Sequence, residues 1–113
     1  MSVLIAGAGG FIGGQLVSVL LEQGTAVRAV DCKPLGQWYQ LNTEAENRSA
    51  DLQLLSECSS SVEGVDQVFN LAADMGGMGF IENNKAACML SSLINTHLLV
   101  AARDAGVERF FFS

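Results

Sequence analysis

The run Val3-Leu4-Ile5-Ala6-Gly7-Ala8-Gly9-Gly10-Phe11-Ile12-Gly13 governs how the rest of the chain is read. Its first four residues are unbroken, apolar and partly β-branched. That pattern suits a short strand buried on both faces of a parallel sheet. The strand should end at Gly7. From Phe11 onward, apolar residues recur at helical spacing (Phe11, Ile12, Leu16, Val17, Leu20, Leu21) until Gly24 supplies a stop. Residues 26–30 (AVRAV) then read as a second buried strand, closed by Asp31. The result is a strand, glycine-rich turn, helix, strand unit of about thirty residues.

The turn itself spells G-x-x-G-x-x-G through Gly7, Gly10 and Gly13. A glycine at the first position permits a tight turn. One at the second lets a pyrophosphate approach the backbone, and one at the third lets the helix pack close to the strand. The N–H groups of the helix start, around Phe11 and Ile12, then face the anion. Packing alone could also call for such a turn, so the spacing by itself leaves both readings open. Asp31 favours the dinucleotide: it ends the second strand eighteen residues past Gly13, near the ~20 expected of a carboxylate that binds a ribose 2′-hydroxyl. A carboxylate there repels a 2′-phosphate, which favours NAD over NADP, although Lys33 close by works the other way.

Further along, residues 33–50 are polar and read as an irregular loop with a possible short strand near 48–51. Residues 52–60 suit a short helix and 66–71 (DQVFNL) a third clear strand, followed by Ala72-Ala73 and a second glycine cluster at 76–79. A long helix is expected over 81–105, capped by Gly106, and another strand begins at 109–112 (RFFF). Strands alternating with helices predict an α/β, Rossmann-like open parallel sheet of about four to five strands with helices on both faces. The chain stops at a hydrophobic strand, so the expectation is a truncated fold: residues 1–113 as an NAD-binding half-domain without its catalytic and substrate-binding portion. An apolar sheet edge left open in this way predicts a homo-oligomer or a missing catalytic half.

Composition narrows the partners. The 113 residues are 50% hydrophobic and 16% charged, enough core for one small domain. Twelve acidic against six basic side chains give a net charge of −6, which excludes nucleic acid as the main partner. No stretch approaches the ~20 uninterrupted apolar residues of a membrane span. Cys32, Cys58 and Cys88 are widely spaced and odd in number. They form neither a disulfide framework nor a metal site, and with no export signal at the N-terminus the chain reads as cytoplasmic.

Several blocks together resemble the N-terminal part of the extended short-chain dehydrogenases/reductases, the NAD-dependent epimerase/dehydratase family. They are GAGGFIG at 7–13, Asp31, Asp51-Leu52, Asn70-Leu71-Ala72-Ala73, Ala101-Ala102-Arg103 and Arg109-Phe110-Phe111. The eleven-residue string NLAADMGGMGF, 70–80, is similar to the GDP-mannose 3′,5′-epimerases of the nucleotide-sugar branch. The resemblance implies that Asp51 and Leu52 sit against the adenine. Leu71, Ala72 and Ala73 would line the ribose and pyrophosphate side of NAD, and Met75, Gly76 and Gly77 would meet a nucleotide sugar such as GDP-mannose. It also implies the family chemistry: transient oxidation at the sugar C4 by NAD, inversion at C3 and C5, and re-reduction.

Departures from the pattern limit what the chain could do alone. Ala6 replaces a usual Thr, and Ser91 stands where the long helix usually carries an Asn. No Tyr-x-x-x-Lys is present, because Tyr39, the one tyrosine, follows its nearest lysine, Lys33. His97, Cys58, Cys88 and Asp74 make no complete acid/base set, so no catalytic residue is assigned and the chain is expected to be inactive by itself. The leading expectation is the NAD-binding segment of a nucleotide-sugar epimerase. The alternatives are a stand-alone dinucleotide-binding or sensing module, or a piece of another nucleotide-sugar 4-epimerase or dehydratase.

Overall fold

The computed structural model describes residues 2–72 and 81–112, with the last helix described by its backbone alone over 81–92. The order of elements is β1 (Ser2–Ala6), α1 (Phe11–Glu22), β2 (Ala26–Asp31), a single 3₁₀ turn (Leu35–Gln37), β3 (Glu46–Ser49), α2 (Leu55–Val62), β4 (Gln67–Asn70), α3 (Ile81–Ala105) and β5 (Arg109–Phe112). All four strand pairings are parallel, in one five-stranded sheet ordered β3-β2-β1-β4-β5. The sequence order reverses between β1 and β4. In open α/β sheets that switch point, at the carboxyl ends of the strands, is where ligands bind.

Alternation along β1 divides the core. Leu4 and Ala6 face one side, where with Val30 and Val68 they meet Cys58 and Val62 of α2 and Leu98, Ala101 and Ala102 of α3. Val3 and Ile5 face the other side, where with Val27 and Ala29 they meet Val17 of α1 and the side chains of Trp38 and Ala45. Val3 through Ala6 are at most 2% exposed, as an unbroken apolar run demands of a strand covered on both faces. α1 ends as its sequence suggests: Gly24, at φ +81°, donates its N–H to Leu21 O while Thr25 donates to Leu20 O. These two bonds satisfy carbonyls that the helix end leaves open.

Several elements shift by a residue at an end, and two differ by more. α2 begins at Leu55 rather than 52, because Asp51 organises a turn ahead of it: Gln53 N–H donates to Asp51 Oδ1 at 3.0 Å and Leu54 N–H to Asp51 O at 3.1 Å. Leu52 is then free to insert into the core, where it is 3% exposed. β3 covers 46–49 rather than 48–51, since its register is set by pairing with Arg28 to Asp31 of β2. The polar stretch 33–50 is irregular but not detached, for Trp38 and Ala45 within it are buried. Among the described residues no helix is long and apolar enough to cross a membrane.

Candidate functional site

The carboxyl ends of β1, β2, β3 and β4 bring the motif residues to one edge of the sheet. Gly7 leaves β1 at φ +85°, and its N–H donates to Val30 O at 2.8 Å. A Cβ at Gly7 would lie 2.5 Å from the carbonyl carbon and oxygen of Leu71, so the chain leaving β4 crosses directly over this residue. Gly13 is equally constrained: a Cβ there would fall 2.2 Å from Gly7 O and 2.9 Å from Ala8 Cα. Both glycines are therefore required by packing between turn, helix and strand.

Gly10 is different. It is the N-cap of α1, with extended backbone at φ −85°, and among the described residues a Cβ there would meet Gly7 O alone, at an ordinary 3.6 Å. Nothing among the described residues forbids a side chain at this position. Among the described residues no side chain caps the helix start, and its first turn holds no acidic residue. The positive end of α1 is thus open to an anion from outside. Phe11 and Ile12 on that first turn are 53% and 70% exposed. A diphosphate fits this cradle by the chemistry of its donors, which are backbone N–H groups and a helix N-terminus.

Asp31 closes the other side. Its carboxylate is buried, and each oxygen accepts one backbone N–H: Oδ2 from Gly9 at 2.9 Å and Oδ1 from Lys33 at 3.0 Å. Each carboxylate oxygen retains a lone-pair direction for a further donor. Beside it, Ala50 N–H donates to Asp31 O, which brings exposed Asp51 next to the end of β2. The neighbouring Leu52 side chain is committed to the core, so of this pair only Asp51 offers a side chain to the edge.

On the β4 side, Leu71 N–H donates to Ala6 O at 2.8 Å, and Ala72 N–H donates to Asn70 Oδ1 at 3.0 Å. The Asn70 amide in turn donates to Asn95 Oδ1 of α3 at 3.0 Å, so a side-chain pair between strand and helix fixes the exit of β4. Leu71 and Ala72 are half-buried beside the Gly7 turn. Ala73, and Met75, Gly76 and Gly77 of the second glycine cluster, lie outside the described residues.

Three participants are not picked out by the sequence motifs. Gly9 sits between the motif glycines, and a Cβ on it would lie 2.9 Å from the Asp31 carboxylate and 3.0 Å from Trp38 Cδ1. Trp38, the one tryptophan of the chain, is buried although it lies in a polar stretch; its large apolar ring there is the signal that points to it. Asn95 is masked in the sequence by the helical periodicity around it.

The titratable groups supply little chemistry. Burial, then the charge of Asp31, pushes the exposed Cys32 thiol up, and burial together with Asp51 and Glu57 pushes Cys58 up to about 11. Neither is a ready nucleophile at neutral pH. His97 Nδ1 lies 2.9 Å from Gln53 O, tying α3 to the loop after β3. Among the described residues no three His, Cys, Asp or Glu side chains converge on a possible metal position.

Comparison with known proteins agrees with this geometry. Residues 3–113 match the family described as the NAD dependent epimerase/dehydratase family. GDP-mannose 3,5-epimerase 1 of Oryza sativa subsp. japonica is 40% identical over 114 aligned positions, which take in 100% of this chain and 30% of the rice protein. Among solved structures, UDP-glucose 4-epimerase of Thermotoga maritima, determined with UDP-glucose, superposes with a TM-score of 0.87 at 26% identity. That match covers 99% of this chain and 37% of the other. A short-chain dehydrogenase/reductase superfamily protein of Agrobacterium tumefaciens with bound NAD gives 0.82 at 29% identity, covering 99% and 32%. The chain thus spans about a third of the length of the proteins it matches. With a parallel sheet that reverses at β1 and β4, a glycine turn opening α1, Asp31 at the end of β2 and a family match over nearly every residue, the chain belongs to the NAD dependent epimerase/dehydratase family.

Proposed function

We propose that this chain binds NAD⁺ along the carboxyl edge of its sheet and is the cofactor-binding segment of a nucleotide-sugar epimerase that acts on GDP-mannose or a close relative. The observation that carries the reading is Gly10. Among the described residues nothing requires it to be glycine, and it stands at the N-terminus of α1, where no described side chain caps the helix. A pyrophosphate approaching the backbone gives that glycine its reason. Gly7 and Gly13 shape the cradle, the first turn with Phe11 and Ile12 donates to the diphosphate, and the Asp31 carboxylate accepts from the adenosine ribose. Asp51 and Leu52 flank the adenine, the latter through its backbone, while Leu71, Ala72 and Ala73 line the ribose and pyrophosphate side. Met75, Gly76 and Gly77 are assigned to the sugar nucleotide.

NAD⁺ supplies hydride acceptance and return at the sugar C4. The chain's own contribution is to bind and orient: helix-start N–H groups hold negative charge, and a fixed carboxylate selects a ribose diol. No Tyr-x-x-x-Lys is present among these 113 residues, so the reading assigns them cofactor binding and no turnover of their own. The similarity to the rice GDP-mannose epimerase supports that substrate class.

Calorimetric titration of the purified chain with NAD⁺ and with NADP⁺ tests the proposal. NAD⁺ should bind more tightly, and Asp31→Ala should weaken NAD⁺ by roughly tenfold, the worth of a charge-assisted hydrogen bond, while sparing NADP⁺. A folded chain that binds neither dinucleotide sinks the reading.

A further inference from the structure

The polar segment after β2 folds back onto the glycine turn. Trp38 Nε1–H donates to Lys33 O at 2.9 Å, closing the segment into a loop. Lys33 N–H holds Asp31 Oδ1, and the next residue after the tryptophan, Tyr39, donates its N–H to Gly9 O at 2.9 Å. Gly9 N–H holds Asp31 Oδ2. Both backbone groups of Gly9 are therefore engaged, one by the carboxylate and one by the returning segment. The Trp38 ring packs where a Gly9 side chain would stand, 3.0 Å from that Cβ position, and is 8% exposed. Tyr39 sets its ring edge-on against Phe11 of the α1 first turn, with centroids 4.9 Å apart. The segment is thus anchored at the end of β2, at Gly9 and at the start of α1.

From this closed circuit we infer that Trp38 is a positioning residue for Asp31, and through it a determinant of NAD over NADP. The inference rests on the cofactor reading above. A carboxylate that can rotate out of its pocket makes room for a 2′-phosphate; one held through both oxygens cannot, and it presents its remaining lone pairs to the ribose hydroxyls in a fixed direction. The two N–H groups that hold it belong to Lys33 and Gly9. Trp38 fixes the first through the Lys33 carbonyl and the second through its packing on Gly9 and the Tyr39 bond. Loss of the indole N–H should loosen the carboxylate without removing it.

Trp38→Phe removes the donor and keeps most of the ring. Amide exchange in the ligand-free variant should show the Gly9 and Lys33 N–H groups less protected than in the unaltered chain; unchanged protection overturns the inference whatever the chain binds. In calorimetry the variant should lose about fivefold in NAD⁺ affinity, the scale of one net hydrogen bond, with a smaller loss for NADP⁺. An equal loss for both dinucleotides marks a merely structural tryptophan and overturns it. In an Asp31→Ala background, Trp38→Phe should change neither affinity, because the carboxylate it positions is gone.

If the variant does not fold, the unaltered chain answers through exchange of its single indole N–H. Coupling is reciprocal, so saturating NAD⁺ must slow that exchange, and an unaltered rate overturns the inference. Absence of dinucleotide binding in the unaltered chain overturns the cofactor reading and this inference with it. Normal NAD⁺ binding with an unchanged preference in Trp38→Phe overturns this inference alone.

Discussion

At Gly10 and Gly13 the same residue type answers to different causes, and substitution separates them. A methyl group at Gly13 would stand 2.2 Å from a backbone oxygen, so Gly13→Ala must push α1 away from β1. The expected cost is about 2 kcal/mol or more, in the range of overpacking a tight contact, read as a lower midpoint in urea unfolding. At Gly10 the methyl group meets, among the described residues, only ordinary contact at 3.6 Å. Gly10→Ala should leave the unfolding midpoint within about 0.5 kcal/mol of the parent while weakening NAD⁺ severalfold, because the group it crowds is the ligand. If Gly10→Ala proves as destabilising as Gly13→Ala and leaves NAD⁺ affinity intact, Gly10 is a packing glycine after all. Spacing alone cannot distinguish these two cases; the distances to Gly7 O do.

Among the elements, α2 shows how a buried group couples the fold to alkaline pH. Cys58 is fully buried, and its Sγ–H donates to Leu52 O at 3.1 Å. Burial first, then the charges of Asp51 and Glu57, raise its pKa from 9.0 to about 11. The protonated thiol is favoured in the folded state, so its contribution is complete below pH 9 and is lost as pH rises from there towards 11. The thermal midpoint of the chain should fall across that window, by the equivalent of at most about 2–3 kcal/mol. Cys58→Ala should lower stability near neutrality but flatten the alkaline slope; an identical slope in both proteins would assign the loss to other groups. The same region marks where the sequence was legible and where it was not. β1, α1, β2, α3 and β5 follow from periodicity and stops that act locally. The start of α2 depends on an Asp51 turn, and the register of β3 depends on pairing with β2, both outside the reach of a period count. The segment 33–40 reads as loop by composition, yet its hydrogen bonds to Gly9 and Asp31 are tertiary and leave only a lone tryptophan as a trace.

For the molecule as a whole, the two outer strands of the sheet are built very differently. β3 carries Glu46, Asn47, Arg48 and Ser49, and Glu46 binds Arg28 at 3.2 Å and Arg48 at 2.7 Å. Slight burial alone would raise the Glu46 carboxyl, but hydrogen bonds from Arg48 and Arg28 outweigh it and hold the group below its ordinary range. Charged side chains of this kind blunt an edge against pairing. β5 carries Arg109 followed by three phenylalanines, and no strand among the described residues pairs with its outer side. Phe111 stacks on Phe69 with centroids 4.7 Å apart, yet stays 43% exposed, on the face where α1 covers β1 and β2. Phe112 is 65% exposed. A net charge of −6 opposes self-association, but at physiological salt it is screened beyond about 8 Å, whereas edge pairing acts at contact. The isolated 113 residues should therefore associate through β5 at high protein concentration, and more so as salt is raised. Phe112→Lys places a charge on that edge at a position that leaves the Phe69–Phe111 stack untouched, so it should shift the population towards monomer with little change in thermal midpoint. Sedimentation velocity across a concentration series measures this directly. A parent chain that stays monomeric throughout, or a lysine variant that associates as strongly as its parent, would place the contact elsewhere than on β5.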